Sequence, residues 1–88
     1  MSRTLVGMGQ ASLEWTPRGR PRLLRWGGRA YLVTDSPTRL EDALDALLTH
    51  PLPVRGWRFQ GTSTDAGDTL VFDVLACADG WRVLHTYR

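Results

Sequence analysis

The side chains most apt to ligate a metal or to act as a general base are few: His50, His85, Cys77 and nine carboxylates. A metal site needs several such groups converging, yet the two histidines fall on different elements with one cysteine between them, and no zinc-type spacing exists. No metal and no cofactor are therefore expected. Nucleophilic catalysis needs Ser, Thr or Cys beside a base that a third group orients. If Asp79-Gly80 forms a two-residue turn, Ala78 pairs with Trp81, Ala76 with Val83, Val74 with His85 and Phe72 with Tyr87. In that register Cys77 lies opposite Arg82, while His85 projects from the other face. Asp73 and His85 also fall on opposite faces, which argues against a general acid–base dyad. Gly7-Met8-Gly9-Gln10 lacks the remaining glycine, the lysine and the following helix of a phosphate loop. The chain reads as a protein without a catalytic centre.

Binding chemistry is better represented. Three tryptophans sit beside glycine just ahead of arginine, in Trp26-Gly27-Gly28-Arg29, Gly56-Trp57-Arg58 and Gly80-Trp81-Arg82. Single-stranded nucleic acid is held by aromatic faces that stack on bases and by guanidinium groups that meet phosphates. The candidate contacts are Arg18, Arg20 and Arg22 near a basic loop, Arg25, Trp26 and Arg29 at a hairpin tip, and Arg58 and Arg82 on the outer sheet. Trp26 is expected to be the most exposed aromatic and Trp15 the next, with Trp57 and Tyr87 in the core and Trp81 near its edge. All eleven basic residues are arginine, a usage that a GC-rich genome also produces. Charge is uneven along the chain: residues 1–33 hold six arginines against Glu14, and residues 34–88 hold five against eight acids, so +5 and −3 make up the net +2. Contact with a polyanion is expected in the basic N-terminal third.

These groups must be positioned by one small domain, because 88 residues leave room for a single core. Residues 1–10 read as a weak strand or a poorly ordered tail. The single cysteine rules out an intrachain disulfide, and the sequence shows neither a secretory signal nor a run of about 20 apolar residues. A cytoplasmic location without membrane contact is expected.

Local patterns predict strands over 11–16, 22–26 and 29–34. The last two flank Gly27-Gly28, a pair suited to a tight hairpin turn. That turn sets Trp26 against Arg29, Leu24 against Tyr31 and Leu23 against Leu32. Asp35-Ser36-Pro37 is a helix-start signal. It precedes apolar positions Leu40, Ala43, Leu44, Leu47 and Leu48 at helical spacing. A helix over 37–49 is expected, ended by His50-Pro51-Leu52-Pro53, with His50 at its C-terminal end. Strands over 57–63, 69–77 and 81–87 follow as a meander, with Phe59 opposite Val74 and Trp57 opposite Ala76. Their common apolar face carries Trp57, Phe59, Leu70, Phe72, Val74, Val83 and Tyr87. The expected fold is α+β: antiparallel hairpins in a curved sheet or small barrel, with one amphipathic helix inserted between the two β-halves.

From Arg20 to Arg88, the order Arg22 to Val33, a short helix, Gly56-Trp57-Arg58-Phe59, an apolar strand and Gly80-Trp81-Arg82-Val83-Leu84-His85 resembles a small bacterial domain of unknown function. That domain also occurs at the C-terminus of Y-family-polymerase-like accessory proteins of mutagenic translesion repair. The resemblance implies an accessory module without catalytic residues, working near DNA or a DNA-repair partner. Two other readings stand beside single-stranded DNA or RNA binding. One is a protein–protein adaptor or homodimer using the strand from Trp81 to Arg88 as an exposed edge; the other is a small enzyme.

Overall fold

The computed structural model describes residues 10–41 and 55–88. Seven strands arise: β1 (Gln10–Trp15), β2 (Pro21–Trp26), β3 (Arg29–Val33), β4 (Thr38–Arg39), β5 (Gly56–Ser63), β6 (Thr69–Cys77) and β7 (Gly80–Tyr87). All pairings are antiparallel, in the order β3-β2-β1-β7-β6-β5-β4, and β3 returns to pair with β5. Six strands thus close into a barrel, while β4 continues along the β5 edge that β3 leaves. Closure satisfies the backbone groups that an open sheet would present at its two sides.

The described residues are therefore a β-barrel, and the α+β architecture with an inserted helix is incorrect. Pro37, the expected first helical residue, leads instead into strand β4, where Thr38 pairs with Arg58 and Arg39 with Trp57. Helical backbone among the described residues is confined to Leu40 and Glu41, and positions 42–49 of the expected helix, with His50, lie outside them. Around the helix-start signal, Thr34 and Asp35 are engaged with strand β5. Thr34 N–H donates to the Gln60 carbonyl at 2.9 Å, and the Asp35 carboxylate accepts from Gln60 N–H at 2.8 Å. Asp35 thus replaces a backbone acceptor across the gap between β3 and β4. The reading of residues 1–10 also falls outside the described chain, except for Gln10, which begins β1.

The barrel interior is aromatic. Leu24, Tyr31, Phe59, Phe72 and Val74 form the buried cluster, with Leu40 fully buried as well. Phe72 lies at its centre, with ring centroids 4.8 Å from Tyr31 and 5.9 Å from both Trp26 and Phe59. Offset and edge contacts of this kind add to the area each ring removes from water. The β2–β3 register is the expected one, and Gly27 and Gly28 hold the φ values of 61° and 78° that a two-glycine turn permits.

The later registers differ. β5 and β6 pair Trp57 with Val74 and Phe59 with Phe72, two residues from expectation, so the same side chains still face inward. The β6–β7 turn is Ala78-Asp79 rather than Asp79-Gly80, with Cys77 opposite Gly80 and Ala76 opposite Trp81. A bulge then makes the pairs Asp73 with His85, Phe72 with Thr86 and Val71 with Tyr87. One inserted residue reverses the faces beyond it. His85 and Tyr87 consequently join Asp73 on the outer wall, and Tyr87 is not part of the apolar interior.

Candidate nucleic-acid interface

The β1–β2 turn is shaped by its own backbone. Thr16 N–H donates to the Arg20 carbonyl at 2.7 Å, Gly19 N–H to the Thr16 carbonyl at 2.9 Å, and Arg20 N–H to Thr16 Oγ1 at 3.1 Å. With these groups paired inward, Arg18 and Arg20 project outward, and neither has an ion pair among the described residues. Across from them, β4 holds Arg39 over the Trp57 indole, its guanidinium carbon 5.8 Å from the ring centroid. A cleft of about 420 Å³ lies between, lined by Arg18, Arg20, Pro37, Thr38, Arg39 and Trp57. Among the described residues, no acidic side chain lines it. Arg39 is only loosely held, 3.9 Å from Glu41.

A second depression of about 490 Å³ adjoins the first through Arg39 and Trp57 and adds Glu41, Arg55 and Trp81. Trp81 is braced by Trp15, with ring centroids 5.4 Å apart at 56°. Glu41 also accepts from Gly56 N–H at 3.3 Å. Among the described residues, this end of the barrel thus presents cations and indoles in sequence, with Glu41 among them.

The eight residues expected to form the interface are divided by the fold. Arg18 and Arg20 line the cleft just described, whereas Arg25, Trp26 and Arg29 border a wider hollow of about 680 Å³ at the other end of β2. The six residues of β2 put about 20 Å between those ends. Trp26 is not an exposed platform: it alternates with Leu24 on the inner face and packs edge-on against Phe72. The glycine pair alone forms the tip, so the last strand residue still points inward. Arg22 and Arg25 both bind Glu14. The hydrogen bond from Arg25, aided by the Arg22 charge, holds the Glu14 carboxyl below its ordinary pKa. Arg29 lies 3.7 Å from Asp68, and Arg82 lies 3.2 Å from Asp79. The charged and aromatic residues lining the cleft and its adjoining depression that the expected set did not include are Arg39, Glu41, Arg55, Trp57 and Trp81. The pairing of Arg39 with Trp57 joins distant segments, and no local spacing signals it.

Arg58 serves another purpose. On the outer wall its Nε and Nη2 donate to the two oxygens of Asp73 at 2.6 and 2.9 Å, and Tyr87 Oη donates to the same carboxylate at 2.9 Å. Asp73 is 1% exposed. Burial alone would raise its pKa, but the bonds from Arg58 and Tyr87 outweigh it and hold the carboxyl below its ordinary value. The same bond raises the Arg58 pKa, and the Tyr87 phenol is raised chiefly by its bond to Asp73. Asp73 and His85, expected on opposite faces, share one because of the bulge. Their 3.9 Å separation is an ion-pair distance rather than a hydrogen bond. Among the described residues, no group of three or more His, Cys, Asp or Glu side chains converges to hold a metal.

No family model matches this chain, and neither the curated proteins nor the solved structures provide a match. Among the described residues, no helix is long and apolar enough to cross a membrane.

Proposed function

We propose that this chain is a non-catalytic binding module that holds single-stranded nucleic acid in the cleft between the β1–β2 turn and β4. The observation that carries the reading is the pair Arg18 and Arg20, free of ion pairs among the described residues and facing the Arg39–Trp57 stack. Six other arginines have carboxylate partners, and only Arg39 of these lines the cleft; of the two remaining described arginines, Arg55 lines the adjoining hollow and Arg88 ends the chain. The positive field available to a phosphate backbone is therefore concentrated where an aromatic surface is also at hand. An accessory role beside DNA or a repair protein, which the family resemblance implies, accords with a module of this kind. Strand addition along Trp81 to Arg88 has less support, because β1 already pairs with Trp81 and Arg82.

The test is titration of a fluorescent 12-mer single-stranded DNA (length about that of a typical OB-fold site) at low and moderate salt. Three phosphate contacts predict a slope of roughly −2 in log K against log salt, or about twentyfold weaker binding for a fourfold salt increase. Arg18→Ala with Arg20→Ala should remove most of that slope while leaving the melting temperature unchanged. Absence of binding at low salt, or an unchanged slope in the double variant, would overturn the proposal.

A further inference from the structure

Resting on that reading, the geometry points to a division of labour: the second depression, between Trp57 and Trp81, is a nucleobase subsite, and the arginine cleft beside it is a phosphate subsite. The two hollows share Arg39 and Trp57, so a ligand crossing from one to the other passes the same indole. Their chemistry differs. Among the described residues, the first is lined by three guanidinium groups and no acid, which suits a phosphate. The second balances Arg39 and Arg55 against Glu41 and adds two indoles.

Charge assigns the occupants. A phosphate entering the second hollow meets the Glu41 carboxylate, whereas a neutral base meets aromatic surface. Glu41 accepts from Gly56 N–H, which places its negative charge on the wall of this hollow. The volume of about 490 Å³ lies within the roughly 300–1,000 Å³ typical of small-ligand pockets. Both indoles are supported from behind. Trp57 and Trp81 pack against the core cluster, and Trp15 braces Trp81 further. Arg39 caps Trp57 at the junction, where it can follow either a phosphate or a stacked ring. The minimal ligand is then one nucleotide, base inward and phosphate toward Arg18 and Arg20. Selection against duplex follows, because a paired base is not free to leave its stack.

The decisive experiment compares the single-stranded DNA with an abasic strand of the same length, which keeps every phosphate and removes every base. Binding to the full chain is followed by anisotropy of the label and by tryptophan quenching. The intact strand is expected to bind about tenfold more tightly or better, the scale of one stacked base, with quenching confined to it. Both strands should show the same salt slope. Trp81→Leu should bring the intact strand down to abasic affinity and leave the abasic affinity as it was, which also reports that the variant is folded. Equal affinities in the unmodified protein would overturn the base subsite while leaving the phosphate cleft standing. A base preference undiminished by Trp81→Leu would overturn its assignment to this hollow. Binding of neither strand would remove the nucleic-acid reading and this inference together.

Discussion

Arg58→Met should destabilise the barrel strongly at neutral pH and much less in acid. Asp73 has a side chain only 2% exposed, and Arg58 supplies two of its three hydrogen bonds, at 2.6 and 2.9 Å. Removing one partner of a buried pair costs about 3–5 kcal/mol. Arg58 is 36% exposed, and solvent reaching the site lowers the expected loss to about 2–3 kcal/mol. For a domain of this size that is roughly 10–20 °C in melting temperature. The pH dependence has a definite sign. With Arg58 present the folded Asp73 pKa lies below the unfolded one, so its stabilisation holds above about pH 4 and is lost as pH falls through the folded value. Without Arg58, burial raises the carboxyl instead, and the penalty disappears once the group is protonated. The gap between the two proteins therefore closes in acid. Urea denaturation followed by tryptophan fluorescence, at neutral pH and near pH 3 (about one unit below the ordinary carboxyl value), measures it. The addition of Asp73→Asn to Arg58→Met should recover about half of the neutral-pH loss, since no buried charge is left unpaired. A loss under about 0.5 kcal/mol at neutral pH, or a gap that does not change with pH, would refute the reasoning.

Three further outcomes are expected. Gly56→Ala should cost about 3 kcal/mol or more in urea denaturation, because its Cβ would lie 2.0 Å from the Val74 carbonyl oxygen, on backbone that cannot rotate away; near-native stability would contradict the close approach of β5 and β6. Phe72→Ala should cost about 3–5 kcal/mol and weaken the near-ultraviolet dichroism, since three aromatic rings meet that side chain. Tyr87 should ionise above the ordinary phenol value by ultraviolet titration, and Asp73→Asn should bring it back toward about 10. By linkage the Tyr87 contribution holds below the unfolded phenol value and is lost as pH rises through the folded one.

Elements whose partners are close in the chain were legible from local pattern. Gly27-Gly28 dictates a turn, the turn dictates the register, and Leu24 meets Tyr31 as read. The inner face of the meander was legible for a different reason. An error of two residues in the β5–β6 pairing leaves alternation intact, so Phe59, Phe72 and Val74 are core in either register. The bulge beside Val74 has no such protection. It turns Tyr87 and His85 outward, and nothing in the run Trp81 to Tyr87 marks where the extra residue sits. Asp35-Ser36-Pro37 failed for want of long-range information: Ser36 reads as the cap, but the Asp35 carboxylate beside it accepts the Gln60 amide of β5, and Pro37 leads into β4.

The candidate site was half legible for a related reason. Arginine count and the N-terminal excess of charge point to the first third of the chain, which supplies Arg18 and Arg20 to the cleft, while Arg39 and Trp57 come to it from later segments. Charge by itself does not say which cations remain available. That is decided by strand neighbours: Glu14 lies opposite Leu23, within reach of Arg22 and Arg25, and Asp73 lies opposite Arg58. Each such carboxylate removes an arginine from the pool that a phosphate can meet. The β1–β2 turn sits beyond the ladder, where no cross-strand acid faces it, and β4 brings Arg39 and Trp57 to the same place. A tight turn next to a closed barrel therefore leaves Arg18 and Arg20 without the cross-strand acids that the arginines of the ladder meet.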